Sequence, residues 1–294
     1  MKKIKRSTGS IIFDIVNVGI LLLVACVTLY PIVHVLFASV SDSSRLMQHS
    51  GLLLRPLGFT TSAYQSVLAD SRVFIGYKNT LIILLGGVAL NIVLTCIGAY
   101  FLTRKNVFWQ KPIMILIVAT MFISGGMVPL YLVVKNLHII DTTWALILPV
   151  AVNTYNLIIM RTGFAAIPDS LEEAAKIDGA SDEWVLVFVM VPLAMPTIAV
   201  LILYYAVFHW NAWFNAMIFL RKRDLYPLQL MLREILLQNQ LDQQVNAAAM
   251  QNVESVSESV KYATIMVSVI PALCIYPFLQ KYFVKGVMVG AVKG

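Results

Sequence analysis

Six stretches of this sequence carry no Asp, Glu, Lys or Arg, and they restrict the fold more than any other feature. They are Ile15–Ser41, Asn79–Thr103, Pro112–Val134, Thr142–Met160, Trp184–Leu220 and Tyr262–Gln280. A helix needs about 20 apolar residues to cross a bilayer, and all but one of the stretches fit a single crossing. The exception, Trp184–Leu220, is 37 residues long, or about 55 Å as a helix. That is too long for one crossing and too short for two with a turn. Pro192 and Pro196 divide it, so Trp184–Val191 is expected at the interface and 197–219 across the membrane. The expectation is an all-α membrane protein, a single transmembrane domain over 1–294. Its six spans are placed near 15–41, 79–103, 112–134, 142–160, 197–219 and 262–280, with a charged loop at 164–192 and both termini on one side.

Composition agrees with this reading. Charged residues make up 13% of the chain and hydrophobic ones 59%, where a soluble domain carries about 25% charged residues. The N-terminal MKKIKR precedes a charge-free run that is longer than the roughly 7–15 residues of a signal-peptide core, so a retained first span is expected. The formal charge of +7 reads as topology signal rather than nucleic-acid binding, since no basic patch interleaved with aromatics lies outside the spans. With the N-terminus inside, twelve of the 22 Lys and Arg fall on the inner side. The bias is small, but the cluster Lys2, Lys3, Lys5 and Arg6 usually dominates, so both termini are assigned to the cytoplasm. Cys26, Cys96 and Cys274 sit in apolar runs without metal-ligand spacing and read as small buried or lipid-facing residues.

The outer loops differ in kind. Residues 42–78 include a short helix expected over Ser62–Ala69. Residues 221–261 form the longest loop. Within it, Pro227 suits a first helical position, and Leu228, Met231, Leu232, Ile235 and Leu236 recur at helical spacing. This predicts an amphipathic helix over Tyr226–Gln240, lying on the membrane surface or against a partner. The polar run Asn239–Ser259 is expected to project beyond it as a loop reaching an extracellular partner.

Several chemistries are excluded. His34, His49, His138 and His209 are scattered, and no H-E-x-x-H, G-x-S-x-G or paired-carboxylate pattern occurs. The chain is therefore read as a non-enzyme without metal or cofactor. All 15 Asp and Glu lie outside the six stretches, whereas proton or sodium coupling usually needs an acid inside the membrane. Energy must come from elsewhere, or the chain is passive. Polar residues within the spans include Asn91, Thr95, Asn153, Thr154, Asn156, His209, Asn211 and Asn215. They serve either interhelical hydrogen bonding or a hydrophilic path for a hydroxyl-rich solute. In the second reading Asn153, Asn156, His209, Trp210, Asn211, Trp213 and Phe214 line the path, the aromatics stacking on sugar faces. The same tryptophans would also serve as interfacial anchors.

The most charged run is Pro168–Pro192, PDSLEEAAKIDGASDEWVLVFVMVP. Ser170 and Glu173 have capping-box spacing, with Asp169 and Glu172 one residue earlier. Glu172 and Lys176 are an i,i+4 pair. Gly179 suits the left-handed stop of a helix, and Ser181 suits the cap of a second helix with Asp182 and Glu183 at its positive end. Between Pro168 and Glu183 stand six acids and one lysine. A plain connection has no need of two capped helices, whereas a helix–Gly–helix knob with Ala174 and Ala175 on top suits docking into a cleft.

Glu173-Ala174-Ala175, then Gly179, then Pro192, resembles the EAA motif E-A-A-x3-G-x9-I-x-L-P of bacterial ABC importer permeases, with Val189 and Val191 in place of Ile and Leu. The string AAKIDGAS resembles the carbohydrate-uptake branch, which includes the smaller permease of maltose importers. SGGMVP at 124–129, HWNAWFNAM at 209–217, YPLQLMLREIL at 226–236 and YFVKGVMVGAVKG at 282–294 are similar to permeases for complex oligosaccharides. The resemblance implies a type I importer fold with a cytoplasmic coupling helix. It assigns ATPase coupling to Ser170, Leu171, Glu172, Glu173, Ala174, Ala175, Asp178 and Gly179, with a basic rim expected on the partner's cleft. It further implies a second permease, two ATPase subunits that hold ATP and Mg, an extracellular solute-binding protein, a sugar substrate and a location in the bacterial inner membrane. The chain has no G-x-x-x-x-G-K-[ST] of its own. From the residues alone, a passive pore or a lone structural membrane subunit is the alternative.

Overall fold

The computed structural model describes residues 8–104, 108–248 and 258–274. The far end of the sixth expected span and the motif at 282–294 lie outside them. Among the described residues the chain is helical with no strand; one isolated bridge joins Ser41 and Phe59. Among the described residues two helices are long and apolar enough to cross a bilayer unaided, Ile12–Ser39 and Ser71–Thr103. Two further pairs meet the same requirement only together: Trp144–Val150 with Thr154–Ala165, bent by 55°, and Asp182–Leu193 with Met195–Trp210, bent by 84°. The second bend falls at Ala194, between the two prolines that divide this run. Residues 112–134 are likewise interrupted, by 120–126 between Gln110–Ala119 and Met127–Asn136.

The chain forms two compact units. One comprises the chain up to Asp70 with Ile235–Ile270. It contains helix α1 (Thr8–Ser39), the short helices α2 (Ser43–Gln48) and α3 (Ser62–Ala69), and residues 258–270 of a helix that runs over 258–274. The α3 bounds are those expected from sequence. Its small core is Ala38, Leu46 and Leu53, with Phe37, Leu57 and Tyr262 against it. Asp42 caps α2 by accepting from the backbone N–H of Ser44 and Arg45 at 3.1 and 3.2 Å. The Ser44 hydroxyl and the Arg45 amide hold its carboxyl below the ordinary carboxylate range.

The other unit, Ser71–Glu234 with the chain from Pro271 on, is built around α4 (Ser71–Thr103). The helices that follow are α5 (Gln110–Ala119), α6 (Met127–Asn136), α7 (Trp144–Val150), α8 (Thr154–Ala165), α9 (Asp169–Ile177), α10 (Asp182–Leu193), α11 (Met195–Trp210), α12 (Phe214–Phe219) and α13 (Leu228–Ala248), of which the residues after Glu234 belong to the first unit. The C-terminal half of α4 packs with α8, α10 and α11 through Cys96, Ala99, Leu102, Leu157, Met160, Phe164 and Leu201. Its N-terminal half packs at Ile83 with α7, α12 and Leu230 of α13.

Two expectations for α13 are corrected. Leu228, Met231 and Leu232 are buried within the chain's own fold rather than offered to a membrane surface or partner. Gly76 permits this, since a Cβ there would lie 3.0 Å from the Leu228 Cα. Thr80 Oγ1 accepts from the Leu228 N–H at 2.8 Å, and Asn79 donates to the carbonyls of Asp224 and Tyr226. These tertiary contacts fix the start of the helix, which then runs through Asn239 to Ala248. The first half of the expected polar projection is thus helix, because Gln, Asn and Ala after a fixed first turn extend it at little cost. Residues 249–257 lie outside the described part.

Candidate functional site

Two places gather the residues singled out by sequence. The first is the charged loop. Pro168, with φ −59° and ψ 132°, occupies the N-cap of α9, and no side chain caps the helix. The expected capping box of Ser170 and Glu173 is not made. Proline fixes the φ of the cap, so the helix starts at Asp169, whose carboxylate meets the positive helix end. The C-terminal end follows expectation. The N–H of Ala180 bonds the Ala175 carbonyl and that of Gly179 the Lys176 carbonyl, both at 3.0 Å. Gly179 has φ +85°, which makes this a Schellman stop with glycine in the left-handed region. Ser181 caps α10 through the Trp184 N–H at 3.3 Å.

An ionic strut holds α9. Lys176 lies 3.0 Å from Glu172 Oε1 and 2.9 Å from Asp182 Oδ1. Glu172 also pairs with Arg104, which follows the last turn of α4. The Arg104 guanidinium stands 4.1 Å over the Tyr100 ring, and the Tyr100 hydroxyl donates to Asp182 Oδ1 at 3.4 Å. The hydrogen bond from Lys176 is the chief reason that the Asp182 carboxyl stays below its ordinary range, with Tyr100 and Arg104 adding to it.

Of the eight residues assigned to coupling, Glu172 and Ala175 turn inward against this strut and the core. Ser170, Leu171, Glu173, Ala174, Asp178 and Gly179 are exposed. Ile177, 86% exposed, joins that outer face. Arg104, Tyr100 and Ile177 were not singled out by sequence. The available signal for Arg104 was its place as the first charge after a span. Beside the stop, Ala175, Asp178, Gly179, Ala180, Ser181, Trp184 and Val189 line a groove of about 630 Å³.

The second place is a cavity of about 460 Å³ at the break between α7 and α8. Asn153, Tyr155, Asn156, Tyr204, Tyr205 and Phe208 line it, with Pro149, Val150 and Val152. Asn153 Oδ1 caps α8 by accepting the Asn156 N–H at 3.1 Å. The Tyr205 hydroxyl is 2.8 Å from Thr95 Oγ1 and accepts from the Asn153 N–H at 3.3 Å. Asn91 donates to the carbonyls of Val150 and Ala151 at 2.7 and 2.8 Å, and its Oδ1 is 2.7 Å from His209 Nε2. Thr95, Asn91 and Gly87 recur every four residues along one face of α4, so a single polar stripe ties both broken helices.

The seven residues expected along a solute path therefore separate. Asn153 and Asn156 line the cavity. His209 is buried as a structural partner of Asn91. The Trp210 ring lies 6.4 Å from Tyr77. Asn211 caps the end of α11 through the Val207 carbonyl. Trp213 packs under the Arg233 guanidinium at 3.9 Å, and Phe214 lies edge-on to Trp213. None of these five lines the cavity. Tyr155, Tyr204, Tyr205 and Phe208 do, and sequence reasoning missed them; the signal was two adjacent tyrosines one turn before Phe208 on an apolar helix.

Residues 83–289 match the profile of the binding-protein-dependent transport system inner membrane component family. Over 283 residues the chain is 36% identical to the polygalacturonan/rhamnogalacturonan transport system permease protein YtcP of Bacillus subtilis (strain 168), covering 96% of this chain and 99% of that one. It is 37% identical over 283 residues to Protein LplC of the same organism, covering 96% of this chain and 95% of that one. A chain in the crystal structure of a bacterial ABC transporter involved in import of the acidic polysaccharide alginate superposes with a TM-score of 0.86 at 33% identity, covering 96% of this chain and all of that one.

Proposed function

The chain belongs to the binding-protein-dependent transport system inner membrane component family, and from that premise we propose that it is the permease subunit of an ATP-driven importer of oligosaccharides. Two of its relatives are named for transport of polygalacturonan/rhamnogalacturonan and of arabinooligosaccharides, and the absence of any acid in the apolar stretches leaves coupling to a partner as the energy source. In this reading six helices cross the inner membrane and the termini are cytoplasmic; α5 with α6, α7 with α8, and α11 with α12 each make one crossing, while α10 stays at the interface. Partners are a second permease, two ATPase subunits carrying ATP and Mg, and an extracellular binding protein.

The observation that carries the reading is the construction of α9. It is stopped by Gly179, fastened to the end of α4 by Arg104 and Glu172, and presents Glu173, Ala174 and Ile177 outward. A helix held in this way transmits a push from a docked ATPase to α4 rather than absorbing it. The polar break between α7 and α8 lies on the same central helix, through Asn91 and Thr95. ATPase closure at one end of α4 would thus reposition the walls of the cavity along its length, giving alternating access.

Copurification tests the proposal. Affinity isolation of this chain from its native membrane should bring down an ATPase and a second permease, and the reconstituted complex should hydrolyse ATP faster with sugar-loaded binding protein. Solute flux through the chain alone, without ATP, would instead establish a passive pore.

A further inference from the structure

The cavity at the α7–α8 break has an uneven polar lining. Helix α8 begins at its wall, with Asn153, Tyr155 and Asn156 all lining it. Two of the first backbone donors of that helix, the N–H groups of Thr154 and Tyr155, have no acceptor among the described hydrogen bonds. The start of a helix carries a positive partial charge. The opposing negative end belongs to α7, and it is neutralised, since the Val150 and Ala151 carbonyls are both taken by Asn91. Asn156 is 6% exposed and lines the cavity, and among the described residues its side-chain amide makes no hydrogen bond. The Tyr205 hydroxyl sits at the same wall. No Asp or Glu lines the space to oppose a negative ligand, and no Lys or Arg supplies a full positive charge.

We infer that the start of α8, with the Asn156 amide, is a subsite for the carboxylate of a uronate-bearing sugar, while Tyr155 and Phe208 offer flat faces to its ring. This rests on the reading of the chain as an oligosaccharide permease and adds the place in this chain where the charge of an acidic solute is met. A half-helix start opposite a neutralised carbonyl end suits an anion within the membrane because it stabilises charge without a fixed cation that would retain the solute. A neutral sugar would use the tyrosine hydroxyls and the amide but gain little from the helix end.

The test is equilibrium binding to the purified transporter complex with the binding protein omitted, so that only the permeases select. The probes are radiolabelled trigalacturonate and its trimethyl ester, which have one length and differ in charge. Wild type should bind the acid about tenfold or more tightly than the ester. Asn156→Asp, which sets a carboxylate at the subsite, should abolish that preference, while Asn156→Gln, which keeps the amide, should stay within about threefold of wild type. Equal binding of acid and ester by wild type, or no binding of either, would overturn the inference, as would an undiminished preference in an assembled Asn156→Asp complex. A transporter that prefers the acid yet drives no ATP-dependent uptake of it would leave the subsite standing and defeat the importer reading instead.

Discussion

Asn91 Oδ1 and His209 Nε2 lie 2.7 Å apart, and both residues are at most 1% exposed. The contact fixes a tautomer. Both amide protons of Asn91 go to the carbonyls of Val150 and Ala151, so its oxygen is left to accept, and Nε2 of His209 must carry the proton. One side chain on α4 thereby joins the end of α7 to the last turn of α11.

Replacing Asn91 by Leu would strand two carbonyls and a histidine donor together. Each buried group left unpaired costs about 1–3 kcal/mol, and interhelical hydrogen bonds in membranes average about 0.6 kcal/mol. Asn91→Leu should lower the thermal midpoint of the purified complex clearly more than His209→Gln, whose amide still offers a donor to Asn91. A wild-type midpoint for Asn91→Leu would show that the node carries no stability.

Gly87 backs onto the same histidine. A Cβ there would lie 2.5 Å from Nε2 and 2.7 Å from Cε1, so Gly87→Ala must displace the ring. Overpacking of this kind costs about 1–3 kcal/mol. In the double variant with His209→Ala the penalty should largely vanish, because the obstructing ring is gone. Additive effects of the two changes, read in midpoints, would count against the contact.

The strut at α9 predicts a separation of stability from coupling. Breaking Arg104 from Glu172 should cost between the roughly 0.2–1 kcal/mol of an exposed pair and the roughly 3–5 kcal/mol of a buried one, since their side chains are 18% and 14% exposed. Arg104→Lys keeps the charge but loses the planar stack on Tyr100, so its sugar-stimulated ATPase should fall between wild type and Arg104→Ala. Glu173→Ala, on the exposed face, should leave the midpoint unchanged and still lower that stimulation. Equal stimulation in all four proteins would remove both the strut and the outer face from the coupling route.

The features legible in the sequence were local ones. Gly179, Ser181 and the pair Glu172–Lys176 act within one or two turns, so spacing alone identified them. Ser170 was misplaced as a cap because Pro168 claims that position through its fixed φ, which spacing rules for Ser and Glu do not weigh. Arg104–Glu172 and Asn91–His209 join residues far apart in sequence, and no periodicity reports them. The tryptophans near His209 read as anchors or as path, and spacing does not reveal that Trp213 packs under Arg233 or that Trp210 lies beside Tyr77. The buried face of α13 was visible as an apolar stripe, but whether its cover is lipid, a partner or the chain itself is decided by Gly76 and Thr80.

Asp182 gives a pH prediction. Its folded carboxyl is held below the ordinary 3.8, first by the hydrogen bond from Lys176. A depressed folded value means that the contact stabilises the fold fully above the unfolded value and is lost as pH falls through the folded one. The strut should therefore be unaffected between pH 8 and about pH 5 and weaken only in acid below about 4. Midpoints of wild type and Asp182→Asn measured across that range should keep a constant separation at neutral pH and converge only at the acid end. Convergence near neutrality would place the sensitive group elsewhere.

Gly179 separates backbone strain from steric obstruction. Its φ is +85°, and nothing lies within 4 Å of where a Cβ would stand. A side chain therefore meets no neighbour, and the cost of substitution comes from the left-handed backbone alone. That cost is about 1–2 kcal/mol for an ordinary residue, higher for a β-branched one, and lower for Asn, which tolerates this region. Val at 179 should unwind the Schellman stop, freeing the carbonyls of Ala175 and Lys176 and loosening the Lys176–Asp182 contact that follows it. The predicted order of sugar-stimulated ATP hydrolysis in the assembled complex is Gly179, then Asn, then Val, with basal hydrolysis, assigned to the proposed ATPase subunits, unchanged. If Asn and Val were equally impaired, the position would be needed for space against the docked ATPase rather than for its backbone. If neither were impaired, the stop would have no part in coupling.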